Sequence, residues 1–338
     1  MKSLRKRVGW FGLLRKYLQL YWLKPFDAVN DTANAWALRQ FDWQEPILEL
    51  GSGDGVFSFI MHGGEYIFTD DRYDQSNPKD SGDIFDVYHK DRPLTIKNRA
   101  SIFYNIGVDL KWSHIQKCKE TGLYKHLVVS PPAPLPFADH SFKTVFLYFP
   151  HGLIEREEQL RYQETLKEIR RVLHPDGIVL MTALNQNISK FFICHQLYRF
   201  LFRIKMWRLS RYFQNLDAGR YREISGLSLA PDEWQELFKQ SGFELSDAWT
   251  HIKPFAWRVY DFQTRPILRL LIQWNWSLKR LGFKKLFKFC SVMFCLPILG
   301  VFYLLFAKPK RISPDLLNHT ELAFVFKAVP VGPPPSEC

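Results

Sequence analysis

The opening stretch, MKSLRKRVGWFGLLRKYLQLYWLKPF, sets Trp10, Leu13, Leu14, Tyr17, Leu18 and Tyr21 at three- and four-residue spacing. That spacing lays them along one face of a helix. Arg15 and Lys16 interrupt the apolar run, which excludes a secretory signal peptide. A second stretch, Lys190 to Phe213, interleaves Phe, Leu, Ile, Met and Trp with Lys205 and four arginines. Basic amphipathic helices with bulky aromatics suit the headgroup boundary of a bilayer. Packing on the protein body with the arginines solvated is the alternative for both stretches.

The third stretch, FCSVMFCLPILGVFYLLFA from Phe289 to Ala307, runs 19 residues without a charge. It reaches the length of a transmembrane candidate. Lys284, Lys285 and Lys288 precede it, and Lys308, Lys310 and Arg311 follow it. A single span carries its positive bias on one side. Symmetric flanks therefore favour a segment that enters one leaflet and returns, paired with Ile267–Phe283 as a second helix. A buried core helix is the alternative.

Charge sharpens this division. Net charge is +12, yet residues 1–26, 178–216 and 262–314 hold seven, six and ten Lys/Arg and no acid. Half of the 46 basic residues thus stand apart from all 34 acids, leaving an acidic body. Basic residues among aromatics also suit single-stranded nucleic acid, but such grooves make little use of long aliphatic runs. No nucleic-acid partner is expected. With 46% apolar and 24% charged residues, wholesale disorder and coiled coil are excluded. The five cysteines form no CxxC pair, which fits a reducing compartment without structural zinc. The ten histidines form no HxH or HxxxH pair, so no metal is expected.

After Pro46, ILELGSGDGVFSF reads as a strand, a tight turn with alternating Gly51, Gly53 and Gly55, and the start of a helix. Glycines serve where backbone turns with positive φ and a ligand approaches closely. E-x-G-x-G-x-G is not the G-x-G-x-x-G of dinucleotide binders. It resembles the first motif of class I S-adenosylmethionine-dependent methyltransferases. The resemblance continues through YNIGVDLKWSHIQKCKETGLYKHLVV (Tyr104–Val129) and LPFADHSFKTVFLYFPHGL (Leu135–Leu153). ETLKEIRRVLHPDGIVLMTAL (Glu164–Leu184), LAPDEWQELFKQSGFELSDAWTHI and TELAFVFKAV (Thr320–Val329) follow in order.

The resemblance implies an α/β, doubly wound, Rossmann-like seven-stranded sheet with its last strand antiparallel, to which the basic stretches add a helical membrane-facing subdomain. It also implies S-adenosylmethionine as cofactor. Glu49, Gly51, Ser52, Gly53 and Gly55 correspond to its methionine side, with Glu49 orienting the loop or the ammonium group. Asp109 and the adjoining Leu110 correspond to its ribose side. Asp109 lies 54 residues beyond Gly55 where the family usually has about 20, so residues 61–100 read as an insertion. Asp70 and Asp71, at the ordinary distance, are rival ribose ligands. Pro131 stands where the family commonly has an Asp near the adenine, and SPPA (Ser130–Ala133) reads as a loop. His151 and Tyr148, after the fourth strand, are candidates for a catalytic role beside the transferred methyl, although aligned methyl transfer needs no base.

The expected segments are a basic helix (1–26), the core (27–184), a basic aromatic insertion (185–226), a core helix and strand (227–261), a membrane-associating segment (262–318), and the last strand and tail (319–338). The expected activity is methyl transfer to a membrane-resident lipid or lipid-linked acceptor, on the cytoplasmic side of a membrane. A membrane-bound protein of this fold without activity, and a nucleic-acid methyltransferase, are the alternatives. Sequence leaves the oligomeric state open.

Overall fold

The computed structural model describes residues 9–72, 90, 93–148, 159–215, 228–263, 268–317 and 323–332. Two helices, α1 (Trp10–Leu20) and α2 (Pro25–Leu38), precede β1 (Ile47–Leu50) and α3 (Val56–Met61). There follow β2 (Glu65–Tyr66), β3 (Ile96–Asn98), β4 (Tyr104–Asp109), α4 (Trp112–Thr121), β5 (Tyr124–Val129) and β6 (Phe142–Leu147). Next come α5 (Gln159–Val172), β7 (Leu173–Leu184), α6 (Ile193–Arg203) and α7 (207–215). The chain continues with α8 (Pro231–Gln240), β8 (Phe243–His251), α9 (Pro254–Phe262), α10 (Leu268–Arg280) and α11 (Lys284–Phe302). It ends with β9 (Lys310–Ile312) and β10 (Ala323–Pro330).

The main sheet runs β5-β4-β1-β6-β7-β10-β8-β9. The pairs β4–β5, β1–β4, β1–β6 and β6–β7 are parallel, while β10 is antiparallel to both β7 and β8. This is the expected doubly wound sheet with its last core strand antiparallel. An eighth strand exceeds expectation: β9 adds antiparallel to the edge of β8, and three residues carry no alternation strong enough to announce a strand. The turn Pro175–Gly177 lies inside β7, where the pairing jumps from Leu173 to Ile178 against Phe142 and Thr144. That is a bulge in a strand otherwise paired on both sides.

Alternation places the core on both faces of the sheet. Ile47 faces one cluster while Leu48 and Leu50 face the other; Val325 likewise opposes Phe324 and Phe326. The ends of the insertion form a separate ribbon of β2 with β3.

The first basic stretch corrects the expectation of membrane contact. Leu13, Leu14, Tyr17, Leu18 and Leu20 are all buried, and α1 packs on α2, α3 and α11. Lys16 is buried with them, donating to the Gly63 carbonyl at 2.6 Å and lying 3.8 Å from Glu65. Arg15 also pairs with Glu65, at 3.1 Å. The two charges that interrupt the apolar run are paired to the ribbon, so the helix belongs to the core.

The third stretch is a helical pair, α10 and α11, turning at Gly282 with φ +77°. The segment Lys284–Ala307 is the one helix among the described residues that is long and apolar enough to cross a membrane. Its polarity is inverted. Lys284, Lys288, Val292, Leu299 and Gly300 face the protein, with both lysines ion-paired to the buried Asp71 at 3.1 and 3.7 Å. Leu286, Phe289, Met293, Phe294, Ile298, Val301, Leu304 and Leu305 face outward.

Candidate functional site

β1 lies where the strand order reverses, between β4 and β6, and ligands of open α/β sheets bind at the carboxyl ends of strands at that point. A cavity of about 400 Å³ opens there, its wall including Gly51, Ser52, Gly53, Asp109 and Tyr148. The loop after β1 is fastened to β4: the Gly51 and Ser52 N–H groups both donate to the Val108 carbonyl, at 2.9 and 3.0 Å. Gly51, Gly53 and Gly55 all have positive φ, from +55° to +72°. Gly55 is doubly constrained, because a Cβ there would meet Cys118 Sγ and the Tyr124 ring at 3.0 Å.

Asp109 ends β4 and is 2% exposed. Its Oδ2 accepts from the Gly53 N–H at 2.9 Å, and its Oδ1 accepts from the Lys111 N–H at 2.9 Å and faces His114 Nδ1 at 3.1 Å. Asp70 and Asp71 do not reach this cavity. They line a second one, of about 540 Å³, with Lys279, Lys284, Lys285 and Lys288. Asp71 accepts from Trp22 Nε1 at 3.0 Å, and Asp70 accepts from the Thr95 N–H at 2.5 Å. Of the three acidic candidates, Asp109 is the one at the cavity.

Glu49 stands behind the loop rather than in the cavity wall. From that place it orients the loop, one of its two expected roles, rather than meets an ammonium group. Its Oε1 accepts from Ser58 Oγ at 2.8 Å and its Oε2 from Tyr124 Oη at 2.7 Å. Burial raises its carboxyl to about 8, against the lowering effect of those two hydrogen bonds. Its role is to pin the loop to α3 and β5. Leu110 is half-buried against the core and is also absent from the cavity wall. His151 lies outside the described residues. The SPPA loop does not line the cavity.

Of the far wall, Tyr148 is a residue the sequence named, whereas its partners are not. Asp31 on α2 accepts a hydrogen bond from Tyr148 Oη at 2.7 Å, and the Tyr148 ring stacks on Phe57 with centroids 3.9 Å apart. Burial raises the Asp31 carboxyl to about 7 and holds the Tyr148 phenol well above its usual range. Arg72 ion-pairs with Asp54 and donates to Tyr21 Oη at 2.5 Å. The signal lay in PFDAVNDTANAWAL, where Asp27, Asn30, Asp31 and Asn34 put polar groups on a helix that is buried over most of its length. Thr182, Ala183, Leu184, Trp257, Tyr260 and Ala323 complete a less polar side.

Residues 95–181 match the methyltransferase domain family. No curated protein matches the chain. In structure it is similar to a SAM-dependent methyltransferase from Thermotoga maritima, described as a possible histamine N-methyltransferase, at 10% identity and TM-score 0.44, covering 96% of this chain and 100% of that one. It is similar to the cyclase SpnF at 13% identity and TM-score 0.43, covering 89% and 81%. It is also similar to a SAM-dependent methyltransferase from Geobacter sulfurreducens in complex with S-adenosylhomocysteine, at 12% identity and TM-score 0.39, covering 89% and 90%.

The cavity's polar groups fit S-adenosylmethionine. That molecule brings ribose hydroxyls and an ammonium as donors, together with a sulfonium charge. The wall answers with Asp27, Asp31, Asp54 and Asp109, and with Asn30 Oδ1, which is buried without a hydrogen-bond partner. Lys24, Arg72 and Lys111 supply cations for its carboxylate.

Proposed function

We propose that the protein is an S-adenosylmethionine-dependent methyltransferase that works at a membrane surface on a membrane-resident lipid or lipid-linked acceptor. What carries the enzyme reading is the Asp109 carboxylate, braced against the glycine loop at the switch point of the sheet. Bound there, the cofactor supplies an electrophilic methyl group. Asp109 would hold the ribose side, Gly51 and Gly53 would let backbone approach closely, and Tyr148 would border the acceptor end.

The inverted helix α11 supports the membrane reading. Phe289, Phe294 and Ile298 are 51%, 75% and 68% exposed, whereas the charges of α11 at Lys284 and Lys288 are turned inward. Soluble monomers rarely leave so large a contiguous apolar face to water. The face continues: α9, with Phe255 and Phe262 exposed, packs against both α6 and the turn 303–307. Beyond it α6 and α7 expose Phe200, Phe202, Trp207 and Tyr212 among arginines. Outward Lys285, Lys308, Lys310 and Arg311 border the apolar strip, as expected beside anionic headgroups.

Calorimetry with S-adenosylmethionine tests the first part; no heat and no thermal shift would sink it. Flotation with vesicles of anionic phospholipid tests the second. Binding should survive 1 M salt to the extent that it is hydrophobic, since about 25 cal/mol per Å² of buried apolar area is not screened by ions. Charging the outer face as Phe289→Glu, Phe294→Glu and Ile298→Glu together should abolish flotation and leave cofactor binding intact. Mass spectrometry of membrane lipids with and without the protein would then show the acceptor as a mass difference of one methylene.

A further inference from the structure

We infer that Asp31, positioned by Tyr148, is the base that takes the proton of a hydroxyl group on the acceptor during methyl transfer. The inference rests on the cofactor reading above and adds the class of acceptor atom.

The geometry sets the two ends of the cavity apart. Asp109 ends β4 and Tyr148 follows β6, with β1 between them, so two strand spacings separate them, about 10 Å. If Asp109 takes the ribose, the groups around Tyr148 stand towards the reacting end. Among them Asp31 is a carboxylate that lines the cavity and is only 6% exposed. Its Oδ1 is fixed by Tyr148 Oη, and Tyr148 is itself fixed by stacking on Phe57. A base must be held in place, and this one is held from two elements.

The surrounding charges suit the task. Burial raises the affinity of Asp31 for a proton most, and Asp27 on the same helix adds to it, whereas the hydrogen bonds from Tyr148 and Tyr21 and the charge of Arg72 lower it. The Arg72 ion pair is made with Asp54. Asp31 therefore titrates near neutrality, where a general base combines availability with driving force. A weakly acidic hydroxyl needs such a base, because its neutral oxygen is a poor nucleophile. A neutral amine does not.

The step balances as follows. The acceptor O–H bond breaks and its proton passes to Asp31, the oxygen's electron pair forms the new O–CH₃ bond, and the C–S bond pair stays on sulfur. The sulfonium and carboxylate charges disappear together, leaving a methyl ether, a thioether and a neutral carboxyl group that returns its proton to solvent.

The test does not require the acceptor. Infrared spectroscopy against pH follows the protonated carboxyl band that Asp31→Asn removes. With S-adenosylhomocysteine bound, its midpoint should lie near 7. With S-adenosylmethionine bound, the nearby sulfonium should lower the midpoint by about 1–2 units. Tyr148→Phe should raise it, because a hydrogen bond to the charged form is lost. Asp31→Asn should give a far-UV circular dichroism spectrum that superimposes on that of the unaltered protein, showing an intact fold. Equal midpoints with the two ligands would overturn the role of Asp31 alone. Failure of the unaltered protein to bind either ligand would overturn the cofactor reading and this inference with it.

Discussion

The Gly53 N–H donates to Asp109 Oδ2 at 2.9 Å across a separation of 56 residues. This bond ties the glycine loop to the neighbouring strand end, so one carboxylate both shapes the loop and faces the cavity. The insertion between them does not disturb that relationship. Its ends leave as the β2–β3 ribbon, away from the main sheet, and the chain then returns to β4 beside β1.

Asp109→Ala should weaken S-adenosylmethionine binding by about 1.5–3 kcal/mol, the worth of a hydrogen bond to a charged group. That corresponds to about 10- to 150-fold in Kd by calorimetry. Asp70→Ala should leave Kd unchanged, since Asp70 lines the other cavity. The reverse pattern would move the ribose site to the ribbon.

Legibility followed the range of the interactions. The loop was readable because positive φ is a local demand that glycine meets, and Gly51, Gly53 and Gly55 all meet it. Asp109 was readable from its place at the end of a strand. Asp31 was not, because its role arises only when α2 packs on α3 and meets Tyr148, 117 residues away in sequence. The N-terminal helix was misread for the same reason: Lys16 finds its partners at Gly63 and Glu65, and nothing in residues 1–26 announces them. The inward face of α11 was equally hidden, since Lys284 and Lys288 look like flanking headgroup lysines until Asp71 is placed between them and Trp22.

Asp71 is accordingly a stability residue. It has no exposed surface, and removing it takes the carboxylate from two largely buried ammonium groups, although Lys288 keeps its hydrogen bond to the Asp70 carbonyl. Asp71→Ala should cost about 3–5 kcal/mol, as for breaking other buried pairs from one side. A large drop in Tm with Kd for S-adenosylmethionine retained at low temperature is the expected result. An unchanged Tm would mean that the lysines find other partners.

Among the described residues, three buried groups bear on the pH dependence near neutrality. Burial raises Glu49 to about 8 and Asp31 to about 7, and lowers His251 to about 3. A carboxyl that holds its proton longer in the native state makes stability fall as pH rises between its unfolded and folded values. His251 acts oppositely, and its contribution is complete above its unfolded value of about 6.5. Between pH 6.5 and 8 the two carboxyls lower stability as pH rises, with Glu49 dominant above 7. Stability should fall there by up to about 1.4 kcal/mol per pH unit for each group still protonated. Thermal melts of the unaltered protein should therefore shift down from pH 6.5 to 8. Glu49→Gln should flatten that slope, and a slope unchanged by the substitution would place its carboxyl outside this titration.

The remaining prediction concerns how α11 meets the bilayer. Residues Lys284–Ala307 span about 36 Å at 1.5 Å per residue, enough to cross a hydrocarbon core of about 30 Å. Both ends are nevertheless fixed to the same body. At the first end, Lys284 pairs with Asp71 and the Lys288 Nζ donates to the Asp70 carbonyl at 2.5 Å. Towards the other, Tyr303 stacks on Trp10 with centroids 4.9 Å apart, and the Phe306 carbonyl accepts from the Lys253 N–H at 2.9 Å. The chain then enters β9 and β10, which pair within the main sheet. A crossing would tear those strands from their neighbours at about 1–3 kcal/mol for each backbone group left buried and unpaired. The helix should lie along the membrane with Phe289, Phe294 and Ile298 in one leaflet. Cysteines introduced at Lys285 and Lys310, in a background whose other cysteines are replaced, should both react with an impermeant thiol reagent applied to the protein-bearing side of sealed vesicles. Protection of one with labelling of the other would establish a true span and remove β10 from the sheet.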